Sequence, residues 1–136
     1  MSGLDFMLMR DENNWNAETD RHLEGYLSYT SWESLFFKVL GCPDSAYIEG
    51  ESHEEFRRRW TQKFREAIPQ YPSLGRISYF FHDVCYKLEE VAQLRDECLK
   101  VKNETTDTDA LEGLNGLIVA CDEAEKHKLG LFLGAD

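Results

Sequence analysis

Residues 110–134 read A-L-E-G-L-N-G-L-I-V-A-C-D-E-A-E-K-H-K-L-G-L-F-L-G, a stretch in which helical spacing of apolar residues changes to strict alternation. As far as Ala124, apolar side chains recur every three or four positions, which predicts a helix that ends near Lys128. The leucines at 129, 131 and 133 then alternate with other residues, which predicts a strand. A helix followed by a strand is therefore expected near this end of the chain.

Two glycines, Gly113 and Gly116, lie inside the predicted helix. An interior glycine costs helix stability of ~1 kcal/mol relative to alanine. We therefore expect a neighbouring segment to approach the helix backbone closely at these positions.

A second strand is predicted over Leu4–Arg10, where Leu4, Phe6 and Leu8 alternate with other residues. The two terminal strands can pair with each other, and a two-stranded ribbon must pack on helices to be stable in water. The predicted fold is mainly α, a helical bundle with a small β-ribbon from the two chain termini (α+β). A length of 136 residues suits one ordinary domain, so we expect a single domain over 1–136.

Three further helices are predicted between the strands. The first begins at a capping box at Thr30 and ends at Gly41, and the second occupies 52–69 behind a capping box at Ser52. The third and longest runs from about Leu74 to Lys102 and carries a broad apolar stripe. The stripe consists of Ile77, Phe80, Phe81, Val84, Cys85, Leu88, Val91, Leu94, Cys98 and Leu99.

Two N-terminal segments have weaker patterns. Residues 11–16 are polar and predict a loop that carries Trp15. Residues 19–29 stay ambiguous, because three apolar side chains have helical spacing while Gly25 disfavours a helix.

The chain is acidic, with 26 Asp and Glu against 15 Lys and Arg and a formal net charge of −11. A charge of this sign repels nucleic acids and anionic lipid surfaces, so neither is an expected partner, and a basic protein fits better. There is no apolar run of ~18 residues and no signal peptide pattern, so we expect no membrane segment and a cytoplasmic protein.

No motif for catalysis, metal binding or a cofactor is present. The cysteines (Cys42, Cys85, Cys98 and Cys121) form no C-x-x-C, and the histidines have no metal-binding spacing, so no metal or cofactor is expected. His82 and Cys85 are the nearest approach to a nucleophile with a base, but Cys85 belongs to the apolar stripe. The sequence therefore predicts a protein that is not an enzyme.

Basic residues concentrate in one run of the second helix, Arg57–Arg59. Glu54 and Glu55 precede Arg58 and Arg59 by four residues, so ion pairs within the helix absorb much of this charge. Binding of an anion by this run stays an open alternative.

Acidic residues concentrate between Asn103 and Glu125, a block of seven acids without Lys or Arg. An exposed face of this kind is suited to electrostatic recognition of a basic protein. Trp15 is the candidate for an aromatic anchor, because tryptophan is favoured at interface hot spots. The predicted partner-binding residues are Trp15, Asp107, Asp109, Glu112, Asp122 and Glu123.

Both ends of the chain resemble a known group of proteins. The opening G-L-D-F-M-L-M-R resembles the starts of small bacterial cytosolic proteins found near toxin genes. The segment 110–124, followed by L-G-L-F-L-G-A-D, resembles the last helix and strand of small immunity proteins of polymorphic or contact-dependent toxin systems. The resemblance implies a non-catalytic protein that binds and neutralises a cognate toxin domain, many of which are basic nucleases.

Two other functions remain open at this stage. A helical adaptor or homo-oligomerisation module would use the helix over 74–102 as a homodimer seam. A nucleic-acid mimic would occupy the basic groove of a DNA-binding protein, and it would bind many such proteins where an immunity protein selects one.

Overall fold

The computed structural model describes residues 3–80 and 82–135, so Phe81, predicted in the apolar stripe, lies outside the described residues, as do residues 1, 2 and 136. The fold is mainly helical and of the α+β class, as predicted. The elements in chain order are β1 (Gly3–Met9), β2 (Arg21–Ser28), α1 (Tyr29–Glu33), a π-helical segment (Ser34–Val39), α2 (His53–Ala67), a 3₁₀ turn (Leu74–Ile77), β3 (Val84–Tyr86), α3 (Leu88–Glu104), α4 (Thr108–His127) and β4 (Gly130–Ala135).

The terminal strands pair antiparallel, with Leu4 opposite Ala135 and Met9 opposite Gly130, which confirms that prediction. They form the centre of a larger sheet than the predicted ribbon. Within the described residues the sheet has the strand order β2-β1-β4-β3, and every pairing is antiparallel. The side chains of Leu4, Phe6 and Leu8 are fully buried beneath the helices, which explains their alternation.

The ambiguous segment 19–29 contains strand β2 instead of a helix. Leu27 is buried, and an added Cβ at Gly25 would lie 3.3 Å from the Phe6 ring of the neighbouring strand. Gly25 therefore disfavours the helix and at the same time suits a strand that must make room for Phe6.

The predicted long helix over 74–102 is wrong. The chain forms a 3₁₀ turn and strand β3 before α3 begins at Leu88. The buried carboxylate of Glu97 accepts hydrogen bonds from the backbone N–H groups of Ser73 (3.1 Å) and Leu74 (2.9 Å), and the Tyr86 hydroxyl donates to the Ser73 carbonyl (2.6 Å). These tertiary bonds hold the segment in a compact path, so the continuous homodimer seam expected from one long helix is not formed.

Helix α1 begins two residues earlier than predicted. Its cap is Ser28, whose hydroxyl accepts from the Ser31 backbone N–H (3.1 Å), so the expected capping box at Thr30 is wrong. At α2 the predicted cap is confirmed, because the Ser52 hydroxyl accepts from the Glu55 N–H (3.1 Å).

Helix α4 packs closely on α1 and β2 through Gly113. A Cβ at Gly113 would lie 3.0 Å from Leu27 Cδ1 and 3.0 Å from Ser31 Cβ, which confirms the predicted close approach. At Gly116 the nearest atom, on the Phe6 ring, is 3.7 Å away, which is an ordinary contact, so the prediction is wrong there. Gly113 therefore sets how near α4 lies to α1.

Within residues 3–80 and 82–135, no helix is long and apolar enough to cross a membrane. All four cysteines are free thiols in the described structure, and Cys42, Cys98 and Cys121 are buried. Burial raises the pKa of the Cys42 and Cys121 thiols to about 12, so they are neutral core side chains near pH 7.

Candidate functional site

The predicted acidic block lies on α4 and the turn before it, and its first member is a helix cap. Asp107 Oδ1 accepts a hydrogen bond from the Ala110 backbone N–H (2.9 Å), so Asp107 is the N-cap of α4. A carboxylate here also interacts favourably with the positive end of the helix dipole. The charge of Asp107 therefore serves the fold, whatever else it contacts.

The acids at the other end of α4 are paired within the chain. Arg95 on α3 contacts Asp122 (3.2 Å) and Glu125 (2.9 Å), and the pKa of Arg95 is raised first by the hydrogen bond to Asp122 and then by the charge of Glu125. Glu123 lies 3.3 Å from the His127 ring. These surface contacts stabilise the fold only weakly, but they reduce the free negative charge at this end.

Two acids of the block remain unpaired. The side chains of Asp109 and Glu112 make no hydrogen bond or ion pair with residues 3–80 or 82–135. Beyond Glu112, the solvent-facing positions continue at Asn115, Val119 and Asp122, and Val119 is 60% exposed. We call the row Thr108, Glu112, Asn115, Val119 and Asp122 the outer face of α4.

Trp15 does not lie beside the unpaired acids. Its ring packs on His22 of β2 with the centroids 4.8 Å apart and the planes tilted by 31°, and it remains 45% exposed. His22 lies opposite Met7 of β1, whereas Arg21, opposite Leu8, contacts the His127 ring of α4 (3.3 Å), so the contact between Trp15 and His22 lies on the face of the sheet that points away from α4. Asp107 and Asp122 are about 22 Å apart at 1.5 Å per residue, so the predicted acids form two separate groups at the two ends of α4, and Trp15 belongs to neither.

A cavity of about 250 Å³ that sequence reasoning missed opens between α1, the π-helical segment, α2 and residues 79–80. We call it the aromatic pocket, and seven of the nine residues that line it carry aromatic rings. The lining residues are Tyr29, Trp32, Glu33, Phe37, Asp44, Phe56, Trp60, Tyr79 and Phe80.

Both tryptophans of the aromatic pocket are held in place by internal hydrogen bonds. The Trp32 indole N–H donates to the Ile77 carbonyl (2.8 Å), and the Trp60 indole N–H donates to the Ser78 carbonyl (2.7 Å). Phe37 stands edge-on to both indoles, at centroid distances of 5.5 Å from Trp32 and 6.2 Å from Trp60. The rings therefore form a rigid wall whose polar atoms are already satisfied.

The charge of the aromatic pocket is negative. Glu33 and Asp44 are exposed, and no Lys, Arg or His of the described residues is among those lining it. The pKa of Tyr29 is raised, first by partial burial and then by the carboxylate of Glu33, with a smaller contribution from Asp44. Both carboxylates thus act on the same ring of the pocket.

Hydrogen bonds and an ion pair from Arg59 hold the loop that carries Asp44 against α2. Arg59 pairs with Glu51 through two nitrogens (2.9 and 2.8 Å) and also donates to the Ala46 carbonyl (2.9 Å). The predicted pair of Arg59 with Glu55 is wrong, because the loop brings Glu51 closer to Arg59. The predicted pair of Glu54 with Arg58 is confirmed (3.3 Å).

The other clusters offer less chemistry. Cys85 lies on β3, and burial together with Glu12 raises the pKa of its thiol to about 11, which keeps it protonated near neutral pH. The His82 ring contacts Arg57 (2.8 Å), and its pKa is lowered by burial and by that charge. In the described part of the chain, no three His, Cys, Asp or Glu side chains converge in a way that could hold a metal ion.

Neither a known protein-family model, nor a curated protein, nor a solved structure matches this chain.

The sequence contained a signal for the aromatic pocket that went unused. Aromatic residues make up 12% of the chain, and those at 29–37 and 56–60 have helical spacing that is typical of core positions, while Tyr79 and Phe80 are adjacent in sequence. Glu33 and Asp44 lie among them in sequence, but only the fold brings the three aromatic groups around these two acids.

Proposed function

We propose that this protein is a non-catalytic acidic inhibitor that acts in the cytoplasm, where it binds and neutralises a basic protein. The resemblance of the two chain ends to bacterial immunity proteins makes a cognate toxin domain the favoured partner. The observation that carries the proposal is the first half of α4, where Asp109 and Glu112 are unpaired and the outer face continues from Glu112 to the exposed apolar side chain of Val119.

This arrangement has the composition of a protein-binding surface. An apolar side chain surrounded by polar groups can be desolvated on contact, while the carboxylates select a basic partner. Long-range attraction to a net charge of −11 would raise the association rate, up to ~10⁸–10⁹ M⁻¹s⁻¹ at low salt.

The unpaired state of Asp109 and Glu112 separates them from the other acids of the block. A carboxylate without an internal partner does not have to break a contact before it binds a cation. Asp122 and Glu123 would have to exchange Arg95 and His127 for groups of the partner, so we expect them to contribute less.

The test uses the purified partner, recovered from a lysate of the source cell at about 0.15 M salt and retained at about 0.5 M salt. The double variant D109K/E112K should bind it at least tenfold more weakly, which is a loss of about 1.4 kcal/mol. The matched control places one charge reversal at Glu24, an exposed acid of β2, and a second at Glu18 in the N-terminal loop, so the change in net charge is identical.

The comparison with this control decides the assignment. Equal weakening by both double variants would mean that only net charge matters, and unchanged binding by D109K/E112K would remove the site from α4. A set of many basic proteins, all lost at the higher salt, would favour the nucleic-acid mimic over an inhibitor of one toxin.

A further inference from the structure

The aromatic pocket is independent of the acidic block, and it has a chemical character of its own. We infer that it binds the side chain of an arginine presented by the basic partner, an inference that rests on the proposed function for the nature of that partner. None of the residues that line the pocket belongs to α4.

The size of the pocket suits one side chain. A volume of about 250 Å³ is below the ~300–1,000 Å³ of sites for drug-sized ligands. Tyr29, at 39% exposure, stands edge-on to Phe80 with the ring centroids 5.1 Å apart, and Trp32 and Phe80 are buried behind it. An inserted side chain would thus meet aromatic surface on several sides.

Aromatic faces attract cations through the negative potential above each ring, and tryptophan does so most strongly. Trp32 and Trp60 have both indole N–H groups engaged with backbone carbonyls, so the partly exposed Trp60 can offer a ligand its ring surface, while the buried Trp32 supports the pocket from behind. The hydrogen bonds also hold the rings, so little side-chain freedom is lost on binding.

The carboxylates of Glu33 and Asp44 favour a cationic side chain over an apolar one. An apolar side chain would remove water from around Glu33 and Asp44 without replacing its hydrogen bonds, which is costly for a charged group. A cation replaces those hydrogen bonds and neutralises the charge.

Arginine satisfies this site better than lysine. Its planar guanidinium stacks on aromatic rings and presents five N–H donors, so it can contact two carboxylates that come from different segments. The lysine ammonium is a compact and strongly hydrated charge, and it gains less from a flat aromatic wall.

The test exploits the three tryptophans of the chain, since each gives one indole N–H signal in an NMR spectrum of ¹⁵N-labelled protein. The probes are the peptides acetyl-Gly-Arg-Gly-amide, its lysine analogue and its citrulline analogue, which has the shape of arginine without the charge. We expect the arginine peptide to shift the Trp32 and Trp60 signals in a saturable way, with Trp15 unchanged, and to bind about tenfold more tightly than the citrulline peptide.

A double variant removes the charge without removing the pocket. E33Q/D44N should lose about tenfold in affinity for the arginine peptide, while the control E18Q/E24Q, with the same net charge, should keep the wild-type affinity. Equal binding of arginine and citrulline peptides, tighter binding of the lysine peptide, or no saturable shift at Trp32 and Trp60 would each overturn the inference.

The same variants separate this inference from the proposed function. If the purified partner binds E33Q/D44N as well as it binds the wild type but loses affinity for D109K/E112K, the inhibitor function stands and the arginine pocket is overturned. If the pocket discriminates the peptides as expected but no basic protein is retained, the pocket chemistry stands and the proposed function fails.

Discussion

The outer face of α4 and the aromatic pocket are both negative surfaces, but they are built in opposite ways. The acids of α4 and its cap are close in sequence, and most of them have partners within the chain: Asp107 caps the helix, and Asp122 pairs with Arg95 of α3. The pocket collects its residues from separate segments between Tyr29 and Phe80, and its two carboxylates lie among aromatic rings. A dense run of acids in a sequence is thus a poor measure of the charge that is free to bind.

The aromatic pocket and the outer face of α4 also contribute differently to the stability of the fold. The pocket wall continues into the hydrophobic core through Trp32, which is 2% exposed, whereas Val119 on the outer face of α4 is 60% exposed. Substitutions in the two regions should therefore have very different effects on folding.

The largest expected effect comes from Trp32→Ala, which removes a buried ring packed against Phe36, Phe64 and Phe80. We expect a loss of about 3–5 kcal/mol in the free energy of unfolding, measured by urea denaturation. Val119→Ala is the control and should change it by less than ~0.5 kcal/mol. A loss below ~1 kcal/mol for Trp32→Ala would show that the pocket wall is not part of the core.

Substitution of two glycines on the inner side of α4 should give intermediate effects on stability that are opposite in sign to each other. Gly116→Ala should stabilise the protein by about 0.5–1 kcal/mol, because alanine favours the helix and its Cβ meets only an ordinary contact at 3.7 Å. Gly113→Ala should destabilise it by about 1 kcal/mol, because the new Cβ would press on Leu27 and Ser31 at 3.0 Å. Thermal unfolding of the pair checks the sign, and stabilisation by both would contradict the close packing of α4 on α1.

The acids of α4 include the smallest expected effect, that of Asp109→Ala. Asp107→Ala should cost about 1 kcal/mol because it removes the helix cap, while Asp109→Ala should be nearly neutral in urea denaturation. Asp107→Ser keeps a capping oxygen and removes the charge, so it should retain most of the stability. If Asp107→Ser nonetheless weakens binding of the partner, the charge of Asp107 contributes to recognition as well as to the fold.

The segments with local signals were predictable. Helix α4 and strand β4 follow one another as the spacing of apolar residues indicates, and Ser52 caps α2 where the capping-box pattern places it. The close approach at Gly113 was predicted correctly, but the same argument failed at Gly116, so a glycine inside a helix is only a partial signal of close packing.

The errors share a physical cause. Residues 74–87 have helical spacing of apolar side chains, yet Glu97 and Tyr86 tie the backbone near Ser73 into a compact turn. These hydrogen bonds join residues that are 13 to 24 positions apart, so no local sequence pattern predicts them. The strand β2 was ambiguous for the same reason, since its pairing with β1 decides its conformation.

The sequence by itself determined the negative charge, the mainly helical α+β class, helix α4 and the two terminal strands, because each of these depends on composition or on neighbours within a few residues. The tertiary structure alone decided which acids remain unpaired and that aromatic residues from positions 29 to 80 enclose a negatively charged pocket. Apolar periodicity indicates which side chains are buried, and charge indicates which side chains need a polar partner. Long-range packing determines which residues become their neighbours.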